Sequence, residues 1–221
     1  HPAYAALTLK DITVDGGGDK TAATNPAIYV SRYGTLTLDD GAVLRNCKSQ
    51  YYAGGAVGLF TGTSEFVMNG TARMEDNEAD YGGGVYVANI LAAFTMNGGT
   101  ISSCTAQQGG GVYVDGSSTF TMNDGSIASC TAVNGGNSVF VVKPSASFTM
   151  TGGTVDGSIA LPYKVGNNTV YMDGLGTAAY PYQISTADQL KLFRDIVNGA
   201  GGQTQNRGAY AVLTADIDLN N

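Results

Sequence analysis

Short runs of alternating apolar and polar residues recur along most of this 221-residue chain. The most regular copy is FTMNGGTISSCTAQQGGGVYV, Phe94 to Val114, and a close copy, FTMNDGSIASCTAVNGGNSVFV, follows at Phe120–Val141. A looser copy begins at Phe66, another at Phe148, and degenerate ones at Leu7 and Leu36. The first apolar residues, Leu7, Leu36, Phe66, Phe94, Phe120 and Phe148, are separated by 29, 30, 28, 26 and 28 residues. Each copy holds three apolar segments. The first alternates, as in Phe94-Thr95-Met96. The second is brief and centred on Leu44, Met74, Ile101, Ile127 and Val155, with Ile12 expected to open the series. The third alternates again, as in Val85-Tyr86-Val87, and its last member is expected at Val170-Tyr171-Met172. Period-two alternation marks strands with one buried face, and the Asn-Gly, Asp-Gly and Gly-Gly pairs between them suit tight turns. Three strands per copy, with no room for a crossover helix, predict an all-β, right-handed parallel β-helix of about six three-strand coils.

The pattern decays after Ile159. Thr186 to Asn198 reads as one short C-terminal α-helix, with Thr186 as N-cap, Gln189 completing a capping box and Gly199 as C-cap. Ala187, Leu190, Phe193, Ile196 and Val197 make its apolar stripe. We place the β-helix at residues 1–174 and a helix-plus-strand capping or linker module at 175–221, with strands at Tyr210–Leu213 and Ile217–Leu219. In this reading Leu190, Phe193 and Val197 cover the end of the coils near Val155 and Val170, because an open coil edge invites aggregation.

Composition narrows the chemistry. Net charge is −7 with 11 Lys and Arg and no basic cluster, which disfavours nucleic acid and anionic membrane as partners. No apolar run reaches the ~20 residues of a bilayer span. The chain opens within its own pattern, so it reads as an internal piece of a longer protein, a monomer within a larger multidomain chain. Its one histidine, His1, stands at the very start, which removes Ser-His-Asp triads and His-ligated metals. No cofactor is expected. Calcium is conceivable at Asp15–Lys20 or at the acidic run Glu75, Asp76, Glu78 and Asp80, although an exposed polar turn is the plainer reading. Carboxylates on neighbouring coils, such as Asp76 with Asp39 or Asp40, would lie at glycosidase distances, with Arg45, Lys48 and Arg73 nearby. Cys47, Asn77, Cys104, Cys130 and Ser158 share one position in the repeat, which predicts a ladder of small side chains with free, stacked thiols, a disulfide between Cys104 and Cys130, one coil apart, being the geometrically possible alternative.

The FxMN and GGGVYV elements resemble the repeats of polymorphic membrane proteins and of pectate-lyase-like β-helices in bacterial surface proteins. Phe66–Asn69, Phe94–Asn97 and Phe120–Asn123 match one signature, and Gly83-Gly84-Val85 and Gly110-Gly111-Val112 the other. The stretch from Gly176 to Leu219 resembles a linker module of large bacterial cell-wall proteins. This resemblance implies an extracellular, bacterial cell-surface or secreted setting and a non-catalytic binding or structural, adhesin-like module. Its partner would be a host or cell-wall glycan or a surface protein. The alternative it implies is a polysaccharide lyase or glycoside hydrolase of the pectate-lyase-like class. The middle residues of the third strands, Tyr29, Tyr86, Tyr113, Phe140 and Tyr171, are expected to form one outward aromatic column with a notch at Gly58 and Tyr51 and Tyr52 beside it. Aromatic faces exposed in a row would stack on sugar rings; cross-strand cover of the sheet is the competing reading.

Overall fold

A computed structural model describes residues 4–17, 24–50 and 54–219. They form two compact units, His1–Gly157 and Ser158–Asn221. The first is built of parallel strands, and the β-solenoid has about seven turns, close to the six counted from the spacing. The boundary expected at residue 174 falls inside the second unit.

The solenoid stacks like on like. Leu7, Leu36, Phe66, Phe94, Phe120 and Phe148 are register partners in the first column of strands, and every pairing is parallel. Between these strands' polar positions, Phe66, Phe94 and Phe120 point inward and are fully buried, with Met68, Met96 and Met122 beside them. Their rings stack at 4.6 Å (Phe66–Phe94 and Phe94–Phe120) and 4.8 Å (Phe120–Phe148). Stacking of this kind follows from the parallel strand spacing of about 4.8 Å. Phe148 and Met150 are only half-buried, and at the other end Leu7 is 49% exposed.

The second column pairs Val14, Leu44, Met74, Ile101, Ile127 and Val155. Its first member is therefore Val14 and not Ile12. The two lie on one face of the strand, so alternation cannot separate them. The turn decides: Asp11 takes a left-handed φ of 50° and its N–H donates to Asp40 O, which delays the strand to Thr13–Asp15. The third column pairs Ile28, Val57, Val85, Val112 and Val139.

Two further columns shape the turns. Asn46, Asp76, Ser103 and Ser129 all have φ between 52° and 56°. Each thereby delivers the next residue, Cys47, Asn77, Cys104 or Cys130, to the interior, as the repeat alignment predicts. Ser158, the expected fifth member, belongs to the second unit. Ahead of the third strands, Gly54, Gly82, Gly109 and Gly136 have φ of 60° to 64°. A Cβ there would lie 2.1 to 2.6 Å from the carbonyl oxygens of Val57, Val85, Val112 and Val139, so only glycine fits. The glycine runs are turn residues leading into strands.

The second unit has a different logic. Ile159–Val165 and Asn168–Asp173 form an antiparallel hairpin in which Val165 opposes Asn168. This corrects the expectation that Val170-Tyr171-Met172 closes a further parallel coil. The turn is only Gly166-Asn167, with Gly166 at φ 61°, which suits a two-residue hairpin and reverses the chain before a coil can form. Tyr182–Ile184 then pairs parallel with Ala211–Leu213. Ile217–Leu219, expected as a strand, is irregular.

The helix, Ala187–Asn198, starts on the expected capping box and ends on Gly199 at φ 67°. Its deepest residues are Leu192 and Ile196, which join Met172, Tyr182 and Ile184 in one cluster. Leu192 was absent from the expected stripe; Leu190, Phe193 and Val170 pack at the cluster's edge. Tyr163 and Tyr182 share a hydroxyl contact of 3.0 Å, and burial together with that contact pushes the Tyr163 phenol up.

Candidate functional site

Because Val85 and Val87 point inward, Tyr86 between them must point outward, and so with each third strand. The result is a continuous column of rings. Tyr29 stacks on Phe60 at 4.5 Å, Phe60 on Tyr86 at 5.3 Å, Tyr86 on Tyr113 at 5.4 Å and Tyr113 on Phe140 at 5.8 Å. Three of the four pairs are within 10° of parallel, and the other is tilted by 33°.

The geometry corrects two expectations about this column. Gly58 does not leave a notch. Phe60 fills it, and a Cβ at Gly58 would lie 2.3 Å from the Phe60 ring. Phe60 sits two residues beyond Gly58, and that spacing on a strand was the signal that could have found it. Nor does the whole column face solvent. Exposure falls from 50% at Tyr29 to 7% at Tyr113 and 4% at Phe140, with Phe60 and Tyr86 between. Tyr81 adds cover, its ring 5.0 Å from that of Tyr113. Burial raises the Tyr86 phenol, with lesser contributions from Asp115 and Tyr81. Most important, the rings stack along the column, so their faces are taken up by one another. Edges remain, and Tyr29 keeps half of its surface exposed.

Tyr171 belongs to the second unit, where it stands on the hairpin opposite Pro162. Tyr51 and Tyr52 fall outside the described residues.

The charged candidates are engaged locally. Lys48 Nζ meets Glu78 at 2.6 Å, Arg45 Nε donates to Asp15 at 2.9 Å, and Arg73 lies 3.9 Å from Glu75. Hydrogen bonds from Gly17 N–H, Asn46 and Arg45 hold the Asp15 carboxyl below its ordinary range. Asp39 and Asp40 sit in the turn between first and second strands, whereas Asp76 sits in the turn between second and third. The coil neighbour of Asp76 is Asn46, so the postulated carboxylate pair is not brought together. Among the described residues no three His, Cys, Asp or Glu side chains converge on one point. Gly18 to Lys20 of the amino-terminal loop lie outside the described residues.

Asn77 anchors the inner polar ladder. Its Oδ1 accepts from Cys47 N–H and its Nδ2 donates to Leu44 O, both at 3.0 Å, and the side chain is fully buried. The three cysteines are free and buried.

A second amide ladder, on the outer face, escaped the sequence reading. Asn123 Nδ2 donates to Asn97 Oδ1 at 2.9 Å, and Asn97 Nδ2 donates to Asn69 Oδ1 at 3.1 Å. Thr151 Oγ1 donates to Asn123 Oδ1 at 3.0 Å. The signal was the Asn of each FxMN element, which stands two residues beyond an outward Thr or Val. No protein-family profile, no curated protein and no solved structure matches this chain.

Proposed function

We propose that the chain is a non-catalytic structural or binding module, adhesin-like, of a bacterial extracellular surface protein. One observation carries the reading: many of the groups that could perform chemistry are engaged with counterparts on the neighbouring coil, as Lys48 with Glu78 and Arg45 with Asp15, or within their own strand, as Arg73 with Glu75. Rings stack on rings, cations pair with carboxylates and amides bond to amides. Such a surface is built for rigidity and for display of repeated columns. Of the aromatic column, the Tyr29–Phe60–Tyr86 end offers contact area to a glycan or a surface protein; Tyr113 and Phe140 act as scaffold.

Tyr86→Ala with Tyr113→Ala tests the division. The double variant should keep its circular dichroism but melt earlier, because two stacked rings are lost, while binding on a glycan array with and without calcium should weaken only through Tyr86. Tyr86→Ala alone losing no glycan or cell-surface binding would remove the column from function. Turnover of an acidic polysaccharide in a lyase assay would replace the whole reading with the enzymatic one.

A further inference from the structure

The outer amide ladder has a direction, and the direction leads to a reactive end. Every link points one way: Thr151 to Asn123, Asn123 to Asn97, Asn97 to Asn69. Asn69 is the last acceptor, and its own Nδ2 meets no partner among the described residues. The next residue is Gly70, exposed, in a left-handed turn with φ of 56°; the Asp40 carboxylate stands beside its Cα and accepts from Thr71 N–H at 3.0 Å, and the Gly98 backbone lies next to its nitrogen.

We propose that Asn69-Gly70 is a self-deamidating modification site, with the Asn97 side-chain amide as its oxyanion donor. The backbone nitrogen of Gly70, losing its proton to solvent base, attacks Cγ of Asn69. A C–N bond forms and the carbonyl electron pair moves onto Oδ1, where the Asn97 Nδ2–H at 3.1 Å receives the developing charge. Collapse of that intermediate breaks the Cγ–Nδ2 bond. The unbonded amide nitrogen takes up a proton and leaves as ammonia, giving a five-membered imide. Water opens the imide at either carbonyl, yielding aspartate or isoaspartate.

The ladder accepts the aspartate product. Position 69 is required only to accept a hydrogen bond, and a carboxylate accepts from Asn97 more strongly than an amide does. Asp39 occupies the same position one coil earlier, where Lys10 stands 3.9 Å from it. The other Asn-Gly pairs are placed differently. Asn97 also has its carbonyl bonded, but its leaving nitrogen is held by Asn69 and Gly98 is buried within a strand. The Gly199 N–H after Asn198 is committed to Asp195 O in the helix cap. Asn134 is exposed and outside the ladder, its Nδ2 donating only a long 3.5 Å bond to Gln107 Oε1 and Gly135 half-buried, so it serves as an internal clock.

The test ages the intact chain in mildly alkaline buffer and maps the amide-to-acid mass gain and isoaspartate content by peptide. Asn69 should convert ahead of Asn97 and Asn198 in the folded protein, and the three should converge in denaturant. Asn97 converting as fast as Asn69 in the folded chain overturns the site. Asn97→Ala, checked for unchanged melting, should slow Asn69 about two- to tenfold against the Asn134 clock, the span that one hydrogen bond allows. An unchanged or faster rate at Asn69 overturns the role given to the ladder.

Discussion

The solenoid and the carboxyl-terminal unit bury their apolar residues by opposite means. In the solenoid each core position is filled by the same kind of side chain from coil to coil, as Phe66, Phe94 and Phe120 show. In the carboxyl-terminal unit three different elements, two strands and the helix, supply the five buried members Met172, Tyr182, Ile184, Leu192 and Ile196. The first is a nearest-neighbour system, in which each coil is held by the one above and the one below. The second depends on a helix meeting a small mixed sheet, and its local terms, a cap and a half-buried carboxyl, weigh more. Damage to the solenoid should therefore scale with the buried volume or hydrogen bonds removed at one height. Damage to the second unit should follow its few specific polar groups.

The largest effect is expected at Phe120→Ala, which empties the middle of the ring stack. It should cost about 3–5 kcal/mol by denaturant titration. A loss below about 1 kcal/mol would mean that coils relax into such a gap, and the nearest-neighbour picture would fail. Asn77→Ala comes next. It leaves Cys47 N–H buried without a partner and removes the side-chain bond to Leu44 O, at about 1–3 kcal/mol for the stranded donor. Asn77→Ser should recover little, since a hydroxyl cannot span both partners; full recovery would show that one bond suffices.

In the second unit, Thr186→Ala removes the side-chain acceptor of the capping box and should cost about 1 kcal/mol. Hydrogen exchange should report the loss in the first turn of the helix and leave the solenoid amides unchanged. Exchange rising equally in both units would break the comparison. The smallest effect has the opposite sign. Burial raises the Asp173 carboxyl above its ordinary value of 3.8. A folded-state value above the unfolded one means that stability falls as pH rises from 3.8 through the raised value, and stays reduced above it. Asp173→Asn should therefore melt higher than the parent at neutral pH, and the gain should vanish once the pH falls below 3.8. A gain that persists in acid would point to a cause other than charge.

What could be read from sequence divides along the same line. The inner columns were legible because Phe66, Phe94 and Phe120 recur with fixed neighbours, and a period-two strand admits one inward set. Cys47, Cys104 and Cys130 announced the inner ladder by alignment alone. Phe60 was missed although its place two residues beyond Gly58 puts it on the same face, because it stands off the repeat position. The outer ladder lay in plain view as FxMN, yet its direction exists only once the side-chain amides are oriented. The hairpin at Gly166-Asn167 was misread because Val170-Tyr171-Met172 copies the third-strand pattern while the turn before it sets the opposite sense. Alternation states which face a residue takes and is silent on the direction of the strand.

The glycine column ahead of the third strands has a consequence for how such a chain can lengthen. Gly82 and Gly109 stand 27 residues apart (109 − 82), and each meets the carbonyl of its own coil's strand. The constraint is therefore carried inside the coil and not shared between coils. A gene segment copied from one of these glycines to the next brings its own turn, its own inward ring and its own ladder residue. It presents to its neighbours the same surfaces that the parent segment presented. Duplication of a whole coil is thereby a conservative change, while the insertion of a single residue is a disruptive one.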